Sequence, residues 1–430
     1  MRFLSTRGQS PAVGFSAAAA AGLCPDGGLY VPERIPQLGT AEIEAVAAAE
    51  DLAAAAVRVL EPFFEDDPLA NQLESVCRDA FSFDVPLVEL SEPRPLQVLE
   101  LFHGPTAAFK DVGARFLARC LQPEADDPLQ RWVLVATSGD TGGAVAAAFW
   151  RQANYRVAIL FPKDGVSARQ RHQLCCWGDN VHAFAVRGSF DDCQRLLKTA
   201  LADPDWQARR HMTTANSINI GRLLPQVVYY VRAAALRHRQ VGGPVEFVVP
   251  SGNVGNATAA LWAKRMGAPI SRVVLAHNSN RTVPDYLQSG EWRPRPSVAT
   301  LANAMDVGDP SNMERVRHLY PTVEELRRDI VAVSVDDRAI ESEIQAGASQ
   351  YGRIWDPHTA TAVRAVDELG LAHPIVVATA HAAKFDGIVE PLIGSAVDVP
   401  PALAELLERQ VHCTEIDAEL SVLDAALADA

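Results

Sequence analysis

Apolar residues fall along this chain in two alternating rhythms. Short continuous runs at Trp132–Ala136, Val157–Phe161, Val181–Val186, Val245–Val249, Arg272–Ala276 and Pro374–Thr379 read as buried strands. Between them, apolar positions three and four apart predict helices from Ala144, near Ser167–Gln173, over Phe190–Leu201 and over Ala257–Met266. From about Leu96 onward the pattern is strand, Gly-rich loop, helix, repeated. Unbroken Val/Ile/Leu strands alternating with helices predict an α/β fold, with parallel-rich sheets covered by helices on both faces. Ligands of such sheets bind at the carboxyl ends of the strands, where the Gly-rich loops sit.

The first 90 or so residues pattern differently. A short strand at Arg2–Ser5 precedes the Gly/Pro loop Cys24–Pro32, and Ala-rich amphipathic helices follow from about Thr40 to Leu60 and Pro68 to Phe81. Aspartates, prolines and phenylalanines in Phe81–Pro95 suit a boundary. Residues 1–90 are therefore expected to form an N-terminal helical cap, residues 91–395 the core, and residues 396–430 a helical tail. Asn278–Asn312 is long and irregular, the pattern of a binding loop or lid.

Charge and composition narrow the function. The chain has 430 residues and a formal net charge of −14, which argues against a general nucleic-acid or anionic-membrane binder. An anionic ligand must then be held by local groups. No signal peptide or membrane span is evident in the sequence. Seven cysteines without metal-type spacing point to a reducing compartment, and a cytoplasmic protein is expected.

Four stretches could carry chemistry. In Leu101–Asp111, Thr106 is a candidate N-cap, and Phe109, Val112, Phe116 and Cys120 continue at helical spacing. Lys110 lies beside that stripe, where a cleft could receive its amine. Desolvation lowers a lysine's pKa and leaves a neutral amine free to form a Schiff base. The plain alternative is a solvated lysine paired with Asp111. In Ser251–Asn256, glycines allow close backbone approach, and N–H groups with a helix dipole would face one point that suits a phosphate. The stretch is neither GxxxxGK[ST] nor a clean GxGxxG, and a glycine-dependent strand–helix turn is its alternative.

Ser138–Gly143 repeats this logic. Its backbone donors and the Ser138 and Thr141 hydroxyls, beside the Asp140 carboxylate, suit a substrate carboxylate or phosphate, unless the loop is a plain turn. Thr214–Arg222 sets neutral donors beside Arg222, which could clamp an oxyanion bidentately or simply lie solvated at a helix start. His277, His358 and His381 read as structural, and no motif suggests a metal. A Schiff-base lysine, a phosphate cradle and a third polar loop together fit a cofactor with an aldehyde and a phosphate, pyridoxal phosphate (PLP).

These stretches, with Ser5–Gly8, Asp26–Pro32, Asn303–Gly308 and Thr379–Phe385, make the chain similar to the threonine synthase family of PLP fold type II enzymes, from near the N-terminus to beyond residue 390. The ELFHGPTAAFKD stretch Glu100–Asp111 and the NAMDVG stretch Asn303–Gly308 separate that family from its dehydratase and sulfhydrylase relatives. The resemblance implies a two-lobed catalytic core, with Lys110 forming the internal aldimine. It implies that Gly252, Asn253, Val254, Gly255 and Asn256 hold the PLP phosphate and that the Thr379 hydroxyl faces the pyridine nitrogen. Ser138, Asp140 and Thr141 would meet the amino-acid end of the substrate, and Asn216, Ser217 and Arg222 the phosphate of O-phospho-L-homoserine. The implied reaction is a β,γ-replacement with water that gives L-threonine and phosphate, the last step of threonine biosynthesis, by a monomer or homodimer. Val254 and Asn256 stand where Phe and Asp are common in the family, Ala382 where Pro is usual, and Val112 where Phe is common. A fold type II dehydratase and a catalytically silent phospho-ligand binder are the rival readings, and the cap and Asn216–Arg222 speak against the first.

Overall fold

The computed structural model describes residues 1–93, 95–121 and 131–428. The larger sheet runs Ile330–Ser334, Ile270–His277, Val245–Pro250, Ile375–Ala378, Leu96–Glu100, Leu87–Leu90. Its pairings are parallel except the last, an antiparallel edge with Leu87 opposite Leu99. The smaller sheet runs Thr414–Asp417, Val181–Arg187, Tyr155–Pro162, Arg131–Ala136, Thr213–Thr214, parallel throughout. The side-chain period of two sorts each strand between the sheet's faces. Phe247, Val249, Val273, Leu275, Ile375 and Val377 enter one core, whereas Val248, Val274 and Val376 enter another. This is the parallel-rich, helix-covered architecture that the apolar runs predict.

The strands that the pattern misses are the sheet edges. Leu87–Leu90, Thr213–Thr214, Ile330–Ser334 and Thr414–Asp417 each end a sheet, and three of them are mostly half-buried or exposed. With a neighbour on one side only, such strands need no continuous apolar run. Two expected boundaries change as a result. Leu87–Leu90 precedes residue 90 yet belongs to the large sheet, and the tail is not helical throughout. Between the helices Pro401–Leu407 and Leu420–Ala428, Thr414–Asp417 adds a strand to the small sheet, burying Ile416.

The N-terminal segment packs as a cap onto the helix that begins at Lys110. It contributes the helices Phe15–Ala21, Thr40–Ala47, Leu52–Leu60 and Leu73–Ala80. Phe116, on Lys110–Cys120, lies 6.2 Å from both Phe15 and Phe64 and 6.3 Å from Phe81, all edge-on. Asn278–Asn312, expected to be irregular, contains the helix Thr282–Ser289 and is pinned across its width. Asn278 donates to Thr300 Oγ1 at 2.7 Å and to Asp306 Oδ1 at 2.8 Å, and the Thr282 hydroxyl to the Gly308 carbonyl at 2.8 Å. Among the described residues no helix is long and apolar enough to cross a membrane.

Because the cap and the helix Lys110–Cys120 share Phe116, Phe116→Ala should destabilise the whole chain by about 3–5 kcal/mol, the usual cost of emptying a buried aromatic site. Urea unfolding measures this, and a loss below about 1 kcal/mol would mean that the two parts are not one core.

Candidate active site

The larger sheet positions Lys110 through backbone bonds at the ends of two adjacent strands. Beyond Leu96–Glu100 and Ile375–Ala378 the two chains stay paired: Leu101 N–H donates to the Ala378 carbonyl at 2.9 Å, Phe109 N–H to Thr379 at 2.8 Å, and His381 N–H to Ala107 at 3.1 Å. Ala107 takes a left-handed φ of 54°, which reverses the chain just before the helix starts at Lys110. The expected cap by Thr106 is not made. Phe109 precedes the helix without a side-chain cap, and Thr106 donates its N–H (2.9 Å) and hydroxyl (2.6 Å) to Asp111 instead. Those bonds keep the buried Asp111 carboxylate in the turn, and a Cβ at Gly104 would stand 2.5 Å from its Oδ2. Asp111 is therefore no solvated partner for Lys110.

Lys110 lines a pocket of about 980 Å³ between the two sheets, together with Ser138, Asp140, Thr141, Asn216, Ser217, Arg222, the 252–256 loop and Thr379. All of the residues singled out in the sequence thus meet at one place. Burial pushes the Lys110 amine down to about 8; Asp140 opposes the shift, and Arg222 and Lys384 reinforce it.

The 252–256 loop is shaped to leave donors free. A Cβ at Gly252 would sit 2.6 Å from the Met305 Cα, so only glycine permits that approach. Val254 takes φ 62°, a strained value for a β-branched residue, and turns the chain into the helix Gly255–Arg265. The first N–H groups of that helix have no intrahelical acceptor and point toward its N-terminal end. Asn256 accepts from the Tyr229 and Tyr230 hydroxyls at 2.7 and 2.9 Å, and its Nδ2 is buried without a partner. Burial keeps both tyrosines protonated, so they fix which end of the amide is the donor.

A second set of donors lies across the pocket. The Ser217 hydroxyl accepts from Asn253 Nδ2 at 2.6 Å and from Asn312 Nδ2 at 3.2 Å, which occupies both of its lone pairs and leaves its proton to donate. Arg222 is buried, donates one guanidinium nitrogen to the Ala215 carbonyl, and keeps Nε without a partner. Burial pushes it down to about 10, with Asp111 opposing, so it remains a cation at neutral pH. Asn216 differs from its neighbours: its amide is spent on the Ala136 backbone, accepting at 3.1 Å and donating at 2.7 Å.

Sequence reasoning passed over three supporting residues and read a fourth, His358, as structural. Thr137 Oγ1 accepts from Gly139 and Gly142 N–H at 3.0 and 3.1 Å and so shapes the loop around Ser138. Gln170 donates to Asp140 Oδ1 at 3.2 Å, and fully buried Lys384 lies 3.0 Å from the same oxygen. Burial would raise the Asp140 carboxyl, but Lys384, Lys110 and His358 together hold it well below the usual range. His358 also lines the pocket. Its Nδ1 bonds Asp356 at 2.7 Å, while Nε2 accepts from Ala304 N–H at 3.1 Å. The one cue for Lys384 and His358 is a polar residue next to buried apolar ones, and that cue does not distinguish function from structure.

Unpaired buried donors on two walls, with a lowered lysine amine between them, fit a cofactor that carries an aldehyde and a phosphate. Comparison with known proteins agrees. Residues 85–378 match the family described as pyridoxal-phosphate dependent enzyme, residues 2–81 the threonine synthase N terminus, and residues 359–426 the threonine synthase C-terminal family. Threonine synthase from Serratia marcescens is 38% identical over 407 residues, 94% of each chain. The crystal structure of threonine synthase from Escherichia coli superposes with a TM-score of 0.93 at 36% identity and covers all of both chains. That of the PLP-bound enzyme from Brucella melitensis gives 0.89 at 35%, covering 100% of this chain and 99% of the other. With a lysine amine, an anion cradle and these full-length likenesses in agreement, the chain belongs to the threonine synthase family of PLP-dependent lyases.

Proposed function

We propose that the chain converts O-phospho-L-homoserine and water to L-threonine and phosphate, with Lys110 as the reactive amine. The observation that carries this reading is one pocket that gathers Lys110, the 252–256 loop, Arg222 and Ser217, whose hydroxyl keeps its proton to donate. Two separate anion seats suit a cofactor phosphate and a substrate phosphate. Residues 252–256 and Thr379, which line the pocket with Lys110, would hold PLP, and the cofactor would supply an aldehyde carbon and an electron sink for carbanion chemistry. Lys110, with a neutral fraction that an ordinary lysine lacks near pH 8, takes the Cα proton and later returns protons. Arg222 and Ser217 hold the departing phosphate, where a charge-assisted hydrogen bond is strongest. Asn216 acts on the pocket's shape, since its amide is committed to Ala136.

Ser138 and Thr141 receive the amino-acid end of the substrate. Asp140 shapes that loop from within, because its carboxylate is already shared by Lys384 and Gln170. Phe190 and Gln194 line both the pocket and an adjoining groove bounded by Val307 and Asp309, which is the route for substrate and product. A reducing, cytoplasmic setting suits the seven cysteines, all free thiols.

Lys110→Ala should abolish threonine formation from O-phospho-L-homoserine, measured with phosphate release; normal turnover would refute the assignment. In the chain stripped of cofactor, the rate of PLP capture should rise about tenfold per pH unit below 8 and level off above it, because raising the pH frees the amine. Arg222→Met should lower kcat/KM for the phosphorylated substrate by about 10- to 100-fold, the range for losing a hydrogen bond from a charged group. Gly252→Ala forces a Cβ against the Met305 backbone and should weaken PLP binding by roughly tenfold or more, read by equilibrium dialysis.

A further inference from the structure

One buried ion pair ties together three segments that are distant in sequence. Lys384, on the turn after Ile375–Ala378, has no solvent exposure; its amine lies 3.0 Å from Asp140 Oδ1 and donates to the Thr106 carbonyl at 2.7 Å. Asp140 opens the helix that follows the small-sheet strand Arg131–Ala136, and Thr106 belongs to the turn that delivers Lys110. The contact therefore bridges the carboxyl ends of both sheets. Its surroundings hold it rigid. The Ser167 hydroxyl donates to the Lys384 carbonyl at 3.1 Å, Arg169 to the Ala383 carbonyl at 2.6 Å, and Gln173 to the Thr106 carbonyl at 3.3 Å.

Fold stability does not explain such a pair. Desolvating two charges is costly, and an apolar pair of similar volume is often as stable or more so. We propose that Lys384 is a positioning residue of the reaction: its bridge from Asp140 to Thr106 sets the Lys110 amine beside a charge-balanced pair. The inference rests on Lys110 being the reactive amine. The charges that act on Lys110 are Asp140, which favours its protonated form, and Arg222 and Lys384, which oppose it. His358 acts on Asp140, and Asp111, fixed by Thr106, faces Lys384 and Arg222. Lys384, with Arg222, opposes Asp140 at Lys110, and burial is the largest single influence on its charge state.

A charge-balanced pair gives opposite signs for its two halves. In the full-length chain without cofactor, pulse acylation across pH followed by peptide mass mapping yields the pH midpoint of Lys110 reactivity. Asp140→Asn leaves Lys384 uncompensated and should lower that midpoint by about one pH unit, whereas Lys384→Met leaves Asp140 uncompensated and should raise it by about one. The double variant Asp140→Asn/Lys384→Met should return close to the wild-type value. A purely structural role predicts no such reversal, so midpoints that stay put, or that move the same way in both single variants, would overturn the proposal. Should Lys384→Met fail to fold, the other two variants decide: a midpoint lowered by Asp140→Asn and restored in the double variant supports the proposal, and a midpoint unrestored there refutes it. A wild-type chain in which Lys110 never reacts would instead overturn the assignment of Lys110 itself.

Discussion

The Phe109 N–H bonded to the Thr379 carbonyl, with the Ala108–Ala380 bridge beside it, fixes where the chemistry stands. Through that antiparallel pairing the residues before Lys110 turn back onto the end of Ile375–Ala378, so the lysine is tied to two buried parallel strands. Thr379 comes to the same pocket because its carbonyl is one half of the bond. Asp111 locks the turn from beneath and Phe116 anchors the helix to the cap, so the start of the helix is held from both sides. The amine is thereby kept in the pocket, where burial lowers its basicity.

Legibility in the sequence followed the physics of each element. Central strands such as Val245–Pro250 are buried on both faces and must be apolar throughout, so they were readable; the edge strands are not so constrained, and Thr414–Asp417, with Ile416 alone buried, carried no pattern at all. The site was legible where backbone geometry demands a particular residue, as at Gly252, or where a motif holds several polar groups in a row. Lys384 and His358 were not, because their meaning lies in partners that the fold brings from more than two hundred and about fifty residues away. Thr106 shows the converse error. Its spacing suits a cap, but the buried Asp111 carboxylate in the same turn offered its hydroxyl and N–H a stronger acceptor.

The pocket keeps its donors free by satisfying everything around them. Two tyrosines occupy the oxygen of Asn256, two amides occupy the lone pairs of Ser217, and Ala215 takes one end of Arg222. Each arrangement orients a polar group and leaves at least one hydrogen unspent. Leaving a buried donor unpaired destabilises the empty protein, and the same donor binds an anion without first giving up a partner. The left-handed backbone at Val254 and Ala107 is a further local cost, and the large shared cores offset it.

The strand order of the large sheet also dictates when this site can exist. Ile375–Ala378 lies between Val245–Pro250 and Leu96–Glu100, so the middle of the sheet is supplied by one of the last segments to be synthesised. A nascent chain that has already emitted Lys110 holds it beside an open gap, next to unpaired strand edges. Lys110 is made early, but its pocket is complete only when nearly the whole chain is available. Until then its amine is an ordinary, strongly protonated one. The strand order thus makes the environment of one early residue depend on a segment synthesised more than 260 residues later.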